Sequence, residues 1–261
     1  MTRTDFDRFA HDYEALLKSQ TRLFDSNHEY FARYKVELMK GRTSIDARTI
    51  LDFGCGIGRT TGFLHAAFPS ARVVGCDPSH ESLQLARSAN PDCVFSDPGE
   101  IALRQQFDLI IASCVFHHIP PRERGDALRY CMERLNDNGQ IFIFEHNPFN
   151  PITRHLVKTC PFDTDAVLLT RRETVRQLRW AGFKVVAGGY CLFFPGVLSS
   201  LRGLEKSLGW LPFGGQYYVA AVRPLQPPPS SGIARPSFRG IARCADWQSG
   251  RVLTTFDWRD R

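Results

Sequence analysis

The sequence contains no apolar stretch approaching the roughly 18 residues that cross a bilayer. Its polar opening, MTRTDFDRFAHDYE, lacks the apolar centre of a secretory leader. Both absences lead to the expectation of a soluble, cytoplasmic protein with no transmembrane segment. Eight cysteines (Cys55, Cys76, Cys93, Cys114, Cys131, Cys160, Cys191 and Cys244) occur singly, without a C-x-x-C pair and mostly within apolar runs. That distribution fits small buried hydrophobes in a reducing compartment better than zinc or disulfides, and no metal is expected. A basic patch is also missing. The formal net charge is +6, but six arginines and three aspartates place +3 of it after residue 224, and the remainder is spread thinly. Nucleic acid is therefore a poor candidate partner.

At 261 residues the chain has room for one large domain with additions and a deep core. From residue 49 onward, apolar β-rich runs alternate with helix-like segments. The runs are TILDF (49–53), ARVVGCD (71–77), CVFSD (93–97), FDLIIASCVF (107–116), GQIFIFEH (139–146), FKVVAGGYCLFF (183–194) and QYYVAAVR (216–223). Helices are expected at RTTGFLHAAF, HESLQLARSA, PRERGDALRYCMERLN and TVRQLRWAGF. The third has Pro121 at its start, and Thr170 with Glu173 forms a capping-box pattern before the fourth. Ile141 to Phe144 are apolar on consecutive residues, as in a strand covered on both faces. The pattern predicts a doubly wound α/β fold: a mostly parallel seven-stranded sheet with helices on both faces and an antiparallel last strand. Residues 1–45 read as an N-terminal helical cap, 46–224 as the sheet domain and 225–261, which hold Pro and Gly and show no period, as a disordered or loosely packed tail.

ILDFGCGIGRTTGFL places Gly54, Gly56 and Gly58 at the first βα turn, where open parallel sheets bind ligands. The dinucleotide pattern G-x-G-x-x-G fails in both registers, because Arg59 and Thr61 occupy the sixth positions. Asp77 closes the second apolar run 19 residues after Gly58, where a carboxylate can accept from ribose hydroxyls. Asp97 closes the third, suited to an adenine amine, and Asp52 adds an acid at the end of the first. Several acids with no lysine in the glycine loop suit an adenosine cofactor carrying positive charge, and suit polyphosphate poorly.

These motifs together resemble the class I S-adenosylmethionine-dependent methyltransferases. ILDFGCGIG resembles that family's first motif, VVGCDPS the acidic ribose motif and VFSD the adenine motif. FDLIIASCVFHHIP resembles the fourth-strand motif, and LNDNGQIFIFEH the fifth, with Asn138 in place of a usual glycine. The resemblance covers about residues 45–223. It implies S-adenosyl-L-methionine as cofactor, with Gly54, Gly56 and Gly58 near its methionine part, Asp77 on the ribose and Asp97 on the adenine. Asp52 and Ser113 complete the expected cofactor set. FDRFAHDYE resembles a lid segment of small-molecule methyltransferases, with Tyr13 either touching the cofactor or simply packing.

For the methyl acceptor, the candidates are the strand-end residues His118, Glu145 and His146. His118 is a candidate general base, or else a brace of the HHIPP turn; Glu145 and His146 are candidates to line the pocket. NPF after the fifth strand resembles the base-gripping motif of nucleic-acid methyltransferases, but that motif belongs after the fourth strand. A small or lipid-linked acceptor, methylated at oxygen or carbon, is the expectation. In residues 190–219, leucines at helical spacing read either as an insert packed on its own sheet, the favoured reading, or as a weak membrane-surface contact. Two rival functions stand beside this one: a nicotinamide-dependent oxidoreductase, and a non-catalytic partner subunit that kept the cofactor fold. The sequence does not address oligomeric state.

Overall fold

The apolar runs assemble into one seven-stranded sheet. The computed structural model describes residues 29–225 with the exception of residue 103, so Tyr13 and the C-terminal tail lie outside the described residues. The strands are β1 (Thr49–Phe53), β2 (Arg72–Cys76), β3 (Val94–Ser96), β4 (Phe107–Ser113), β5 (Leu135–His146), β6 (Lys184–Cys191) and β7 (Gln216–Val222). Their order is β3-β2-β1-β4-β5-β7-β6. The first five pair in parallel, and β7 runs antiparallel between β5 and β6. Strand order reverses between β1 and β4, so the turn after β1 opens on the switch point where such sheets bind ligands.

Why the sheet is double-faced is visible in β5. Ile141 and Ile143 enter one core with Leu128, Cys131 and Leu178, whereas Phe142 and Phe144 enter the opposite core with Val36, Met39 and Leu64. All four strand residues are at most 1% exposed, and each contributes about 1.5–3 kcal/mol by burial. The covering helices are α1 (Glu29–Lys40), α2 (Arg59–Ala67), α3 (His80–Ala89), α4 (Arg124–Arg134), α5 (Pro151–Thr159), α6 (Arg171–Trp180) and the short α7 (Glu205–Leu208). The Thr170–Glu173 capping box is formed at the start of α6.

Three local features differ from the sequence expectations. Helix α4 starts at Arg124 rather than Pro121, because the Glu123 amide closes a turn on the Pro120 carbonyl first. Helix α5 was not expected at all. The Asn150 side chain accepts from the amides of Ile152 and Thr153 and Pro151 opens the helix, so the N-P pair that looked like a loop is a helix start. In the insert before β7, a 3-10 helix (Gly196–Leu204) continued by α7, Leu208 is half-buried while the other three leucines at helical spacing do not pack on the sheet. Leu198, Leu201 and Leu204 are exposed, as are Val197, Trp210 and Phe213. What fixes the insert is a charge: Glu205, 3% exposed, accepts from the amides of Leu192, Phe193 and Phe194.

Candidate active site

The three glycines of the first turn have positive φ of 72°, 52° and 78° at Gly54, Gly56 and Gly58, but they serve different ends. A Cβ on Gly54 would lie 2.5 Å from a methyl of Val115, and one on Gly58 within 3.1 Å of Asn90, Ala86 and Phe95. At Gly56 nothing lies within 4 Å of that position. Gly54 and Gly58 are glycines for packing, and Gly56 is the one that opens the backbone to a ligand. The loop's amides are largely spent inside the protein. Gly54 and Cys55 donate to the Cys76 carbonyl, Gly58 to the Cys55 carbonyl and Gly56 to Asp77 Oδ2. A loop so satisfied is a poor phosphate cradle, in keeping with the failed dinucleotide pattern.

Asp77 stands beside the open Gly56. Its Oδ2 accepts from Gly56 and its Oδ1 from the Ser79 amide, each at 2.9 Å, which orients the carboxylate at the turn. Asp97 follows β3, half-buried, and accepts from Gly99. Asp52 differs from its expected role. It is 1% exposed, takes a hydrogen bond from Thr61 Oγ1 at 2.7 Å, and its Oδ1 has no partner. Burial pushes its carboxyl up to about 7, over the opposing effect of Thr61. Ser113 Oγ accepts from Lys35 Nζ at 2.8 Å, a residue on α1 that the sequence reading did not single out.

Beyond β4 and β5, two clusters meet. In the first, Glu145, expected to line the acceptor pocket, is instead fully buried and holds the loop after β4. Its Oε1 accepts from the amides of Val115 and Phe116, and its Oε2 meets His117 Nδ1 at 2.6 Å. Burial disfavours both charges, but the pairing outweighs it: His117 is raised and the Glu145 carboxyl held below its ordinary value. Asp163, from the 3-10 turn Pro161–Asp163, brings Oδ1 to 3.6 Å from His117 Nε2 and 3.3 Å from His118 Nε2. Burial and then the adjacent His117 charge push His118 down to about 3. An imidazole so depressed is a weak proton acceptor, which argues against His118 as the expected general base.

The second cluster surrounds Cys114, whose φ of 60° turns the chain at the end of β4. Its Sγ receives Lys35 Nζ at 3.4 Å and Gln216 Nε2 at 3.3 Å. Burial opposes a thiolate, yet Lys35 and His146 overcome it and bring Cys114 down to about 6. Only reactivity distinguishes such a cysteine from a buried hydrophobe, and the sequence carried no signal of the lysine, since it arrives from a helix 79 residues away. His146 closes this group, half-buried at the end of β5, with its ring 4.9 Å from that of His117.

The sheet order, the open Gly56 and the flanking Asp77 define a Rossmann-like domain for a nucleoside cofactor. Residues 51–141 match the family model described as a methyltransferase domain. The chain is 29% identical over 144 residues to an uncharacterized methyltransferase of Staphylococcus carnosus, which covers 54% of this chain and 65% of that protein. It is 32% identical over 114 residues to a trans-aconitate 2-methyltransferase of Escherichia coli, covering 43% of this chain and 44% of that one. The match thus spans less than two thirds of the length of these relatives. Its fold is that of a methyltransferase of Thermotoga maritima (TM-score 0.61, 18% identity, 84% of this chain and 98% of that one). It is also that of magnesium protoporphyrin IX methyltransferase of Synechocystis with S-adenosylmethionine bound (TM-score 0.51, 16% identity, 75% and 79%). Residues 51–141 thus carry a methyltransferase domain on the fold of the S-adenosylmethionine-dependent methyltransferases, with the open Gly56 and Asp77 at the turn after β1. Among the described residues no helix is long and apolar enough to cross a membrane.

Proposed function

We propose that the protein transfers a methyl group from S-adenosylmethionine to a carboxylate oxygen of a small acid. The observation that carries this reading is Lys35. It is 6% exposed, and among the described residues no carboxylate lies within 4.0 Å of its Nζ; its hydrogen-bond partners are Ser113 and Cys114. The Lys35 ammonium is buried beside a hydroxyl and the Cys114 thiol, and its positive potential favours an anion at the end of β4, either the thiolate or an incoming carboxylate. Gln216, 8% exposed, adds an amide to this wall.

The cofactor supplies a sulfonium methyl; the acceptor oxygen bonds to that carbon while the sulfur keeps the electron pair, giving a methyl ester and S-adenosylhomocysteine. A carboxylate enters already ionised, so no base is required and the depressed His118 is no obstacle. Gly56 and Asp77 hold one reactant and Lys35 orients the other, and alignment of this kind supplies up to roughly 7–11 kcal/mol of the barrier. The trans-aconitate 2-methyltransferases among the relatives are named for an acidic acceptor, which supports the same class here.

The test is release of S-adenosylhomocysteine across a panel of small carboxylic acids and neutral hydroxyl compounds. The panel includes acids bearing hydrocarbon chains, because Val197, Trp210 and Phe213 stand exposed in the insert that leaves β6 and enters β7 at the same end of the sheet. Turnover of an acid, with KM raised at least about tenfold in Lys35→Met (1.4 kcal/mol), is expected. Methylation of neutral acceptors only, unaffected by Lys35→Met, would overturn the assignment.

A further inference from the structure

We propose that His117 Nε2, His118 Nε2 and Asp163 Oδ1 form a binding site for one divalent transition-metal ion of the zinc type, with an open position for an oxygen of the methyl acceptor. Among the described residues, these three ligand atoms, all within 4.8 Å of one another, make the one His/Cys/Asp/Glu group with metal-binding spacing. Two of the three separations, 3.3 Å and 3.6 Å, are longer than good hydrogen bonds. They match the edge of about 3.3 Å of a tetrahedron with bonds of about 2.0–2.1 Å. Two imidazoles and one carboxylate are a donor set for zinc and its first-row neighbours.

The surroundings have the form that metal sites use to fix their ligands. His117 meets the buried Glu145 carboxylate through Nδ1 at 2.6 Å, which leaves Nε2 facing Asp163. A carboxylate behind a ligating histidine sets its tautomer and ring orientation. The loop bearing both histidines is pinned by Glu145 on the amides of Val115 and Phe116, and by Arg124 on the carbonyls of Phe116 and Ile119. Asp163 comes from a separate element, hydrogen-bonded through its amide to the Cys160 carbonyl. Three protein ligands leave the fourth position of a tetrahedral ion open. An ion held there can bind one oxygen of the acceptor in its open position and so orient the acceptor, leaving the other oxygen to take the methyl group. The site stands on its own geometry; the acceptor's part rests on the function proposed above.

Tag-free protein, treated with chelator and then dialysed, should bind one Co2+ per chain with the intense visible absorption of a four- or five-coordinate ion, and Zn2+ should displace it. Asp163→Asn and His118→Ala should each lose that absorption while still melting cooperatively and still gaining stability from S-adenosylhomocysteine. Absence of the Co2+ signal in the wild type, or its persistence in both variants, overturns the site. Should the ion bind while no carboxylic acid is methylated, the site stands and the acceptor reading falls. Turnover of an acid by chelated protein that gives no Co2+ signal has the opposite meaning.

Discussion

At the scale of single residues, the glycine loop separates into packing and binding positions. Gly56→Ala places a methyl in open space at a φ of 52°. The left-handed backbone costs it about 1–2 kcal/mol, so the variant should fold and fail to bind the cofactor. Gly54→Ala adds to the same strain a contact at 2.5 Å with Val115 and should lose about 1–3 kcal/mol more through overpacking. Melting curves with and without S-adenosylhomocysteine check both; a Gly56→Ala protein that responds like the wild type contradicts the assignment. Asp52 gives a pH prediction. Its folded value of about 7 lies above the unfolded value of about 3.9. Between these values the folded chain keeps a proton that the unfolded chain has released, so this group's contribution to stability falls as pH rises, by at most about 1.4 kcal/mol per pH unit. The melting temperature of Asp52→Asn minus that of the wild type should therefore climb across this window; a flat difference would show that burial does not raise the group. Spacing alone marked Gly54, Gly56, Gly58, Asp52 and Asp77 as one set. Which of them opens toward a ligand depends on Val115, Asn90 and Phe95, contributed by distant segments, and no local pattern encodes that.

Elements were easier to read than their partners. The strands are anchored by consecutive apolar residues, and all seven lie within a few residues of the runs that announced them, because covering both faces of a parallel sheet leaves a dense apolar signature. Helix α5 escaped since its start, Asn150-Pro151, is also a turn signal. The insert escaped for a different reason. Its leucine spacing suggested an apolar anchor, whereas a buried glutamate fastens it to the end of β6, where Leu192 has a φ of 60°. Glu205→Ala leaves three amides without their acceptor, and about 1–3 kcal/mol of stability should go with each that stays dry. Denaturant unfolding of Glu205→Ala beside Leu204→Ala, an exposed residue, separates the two anchors. A larger loss from Leu204→Ala would return the insert to leucine packing. Lys35 belongs at this scale too: α1 was read as part of a cap, but one residue of it reaches the end of β4.

For the whole molecule, strand order decides where the chemistry lies. The order β3-β2-β1-β4-β5-β7-β6 puts the glycine turn, Asp77, the Cys114 group and the His117 group at the same end of one sheet. The proposed cofactor seat at Gly56 and Asp77 can be tested before any acceptor is known. The most direct measurement is thermal melting with S-adenosylmethionine, S-adenosylhomocysteine, NAD or ATP added to the full-length protein and to Asp77→Ala. Ligand at about 100 times its dissociation constant adds roughly 2.7 kcal/mol, a rise of several degrees for a domain of this size. That rise is expected with the first two ligands alone, and its loss in Asp77→Ala. No shift with either, a shift with NAD only, or an undiminished response in Asp77→Ala would contradict it.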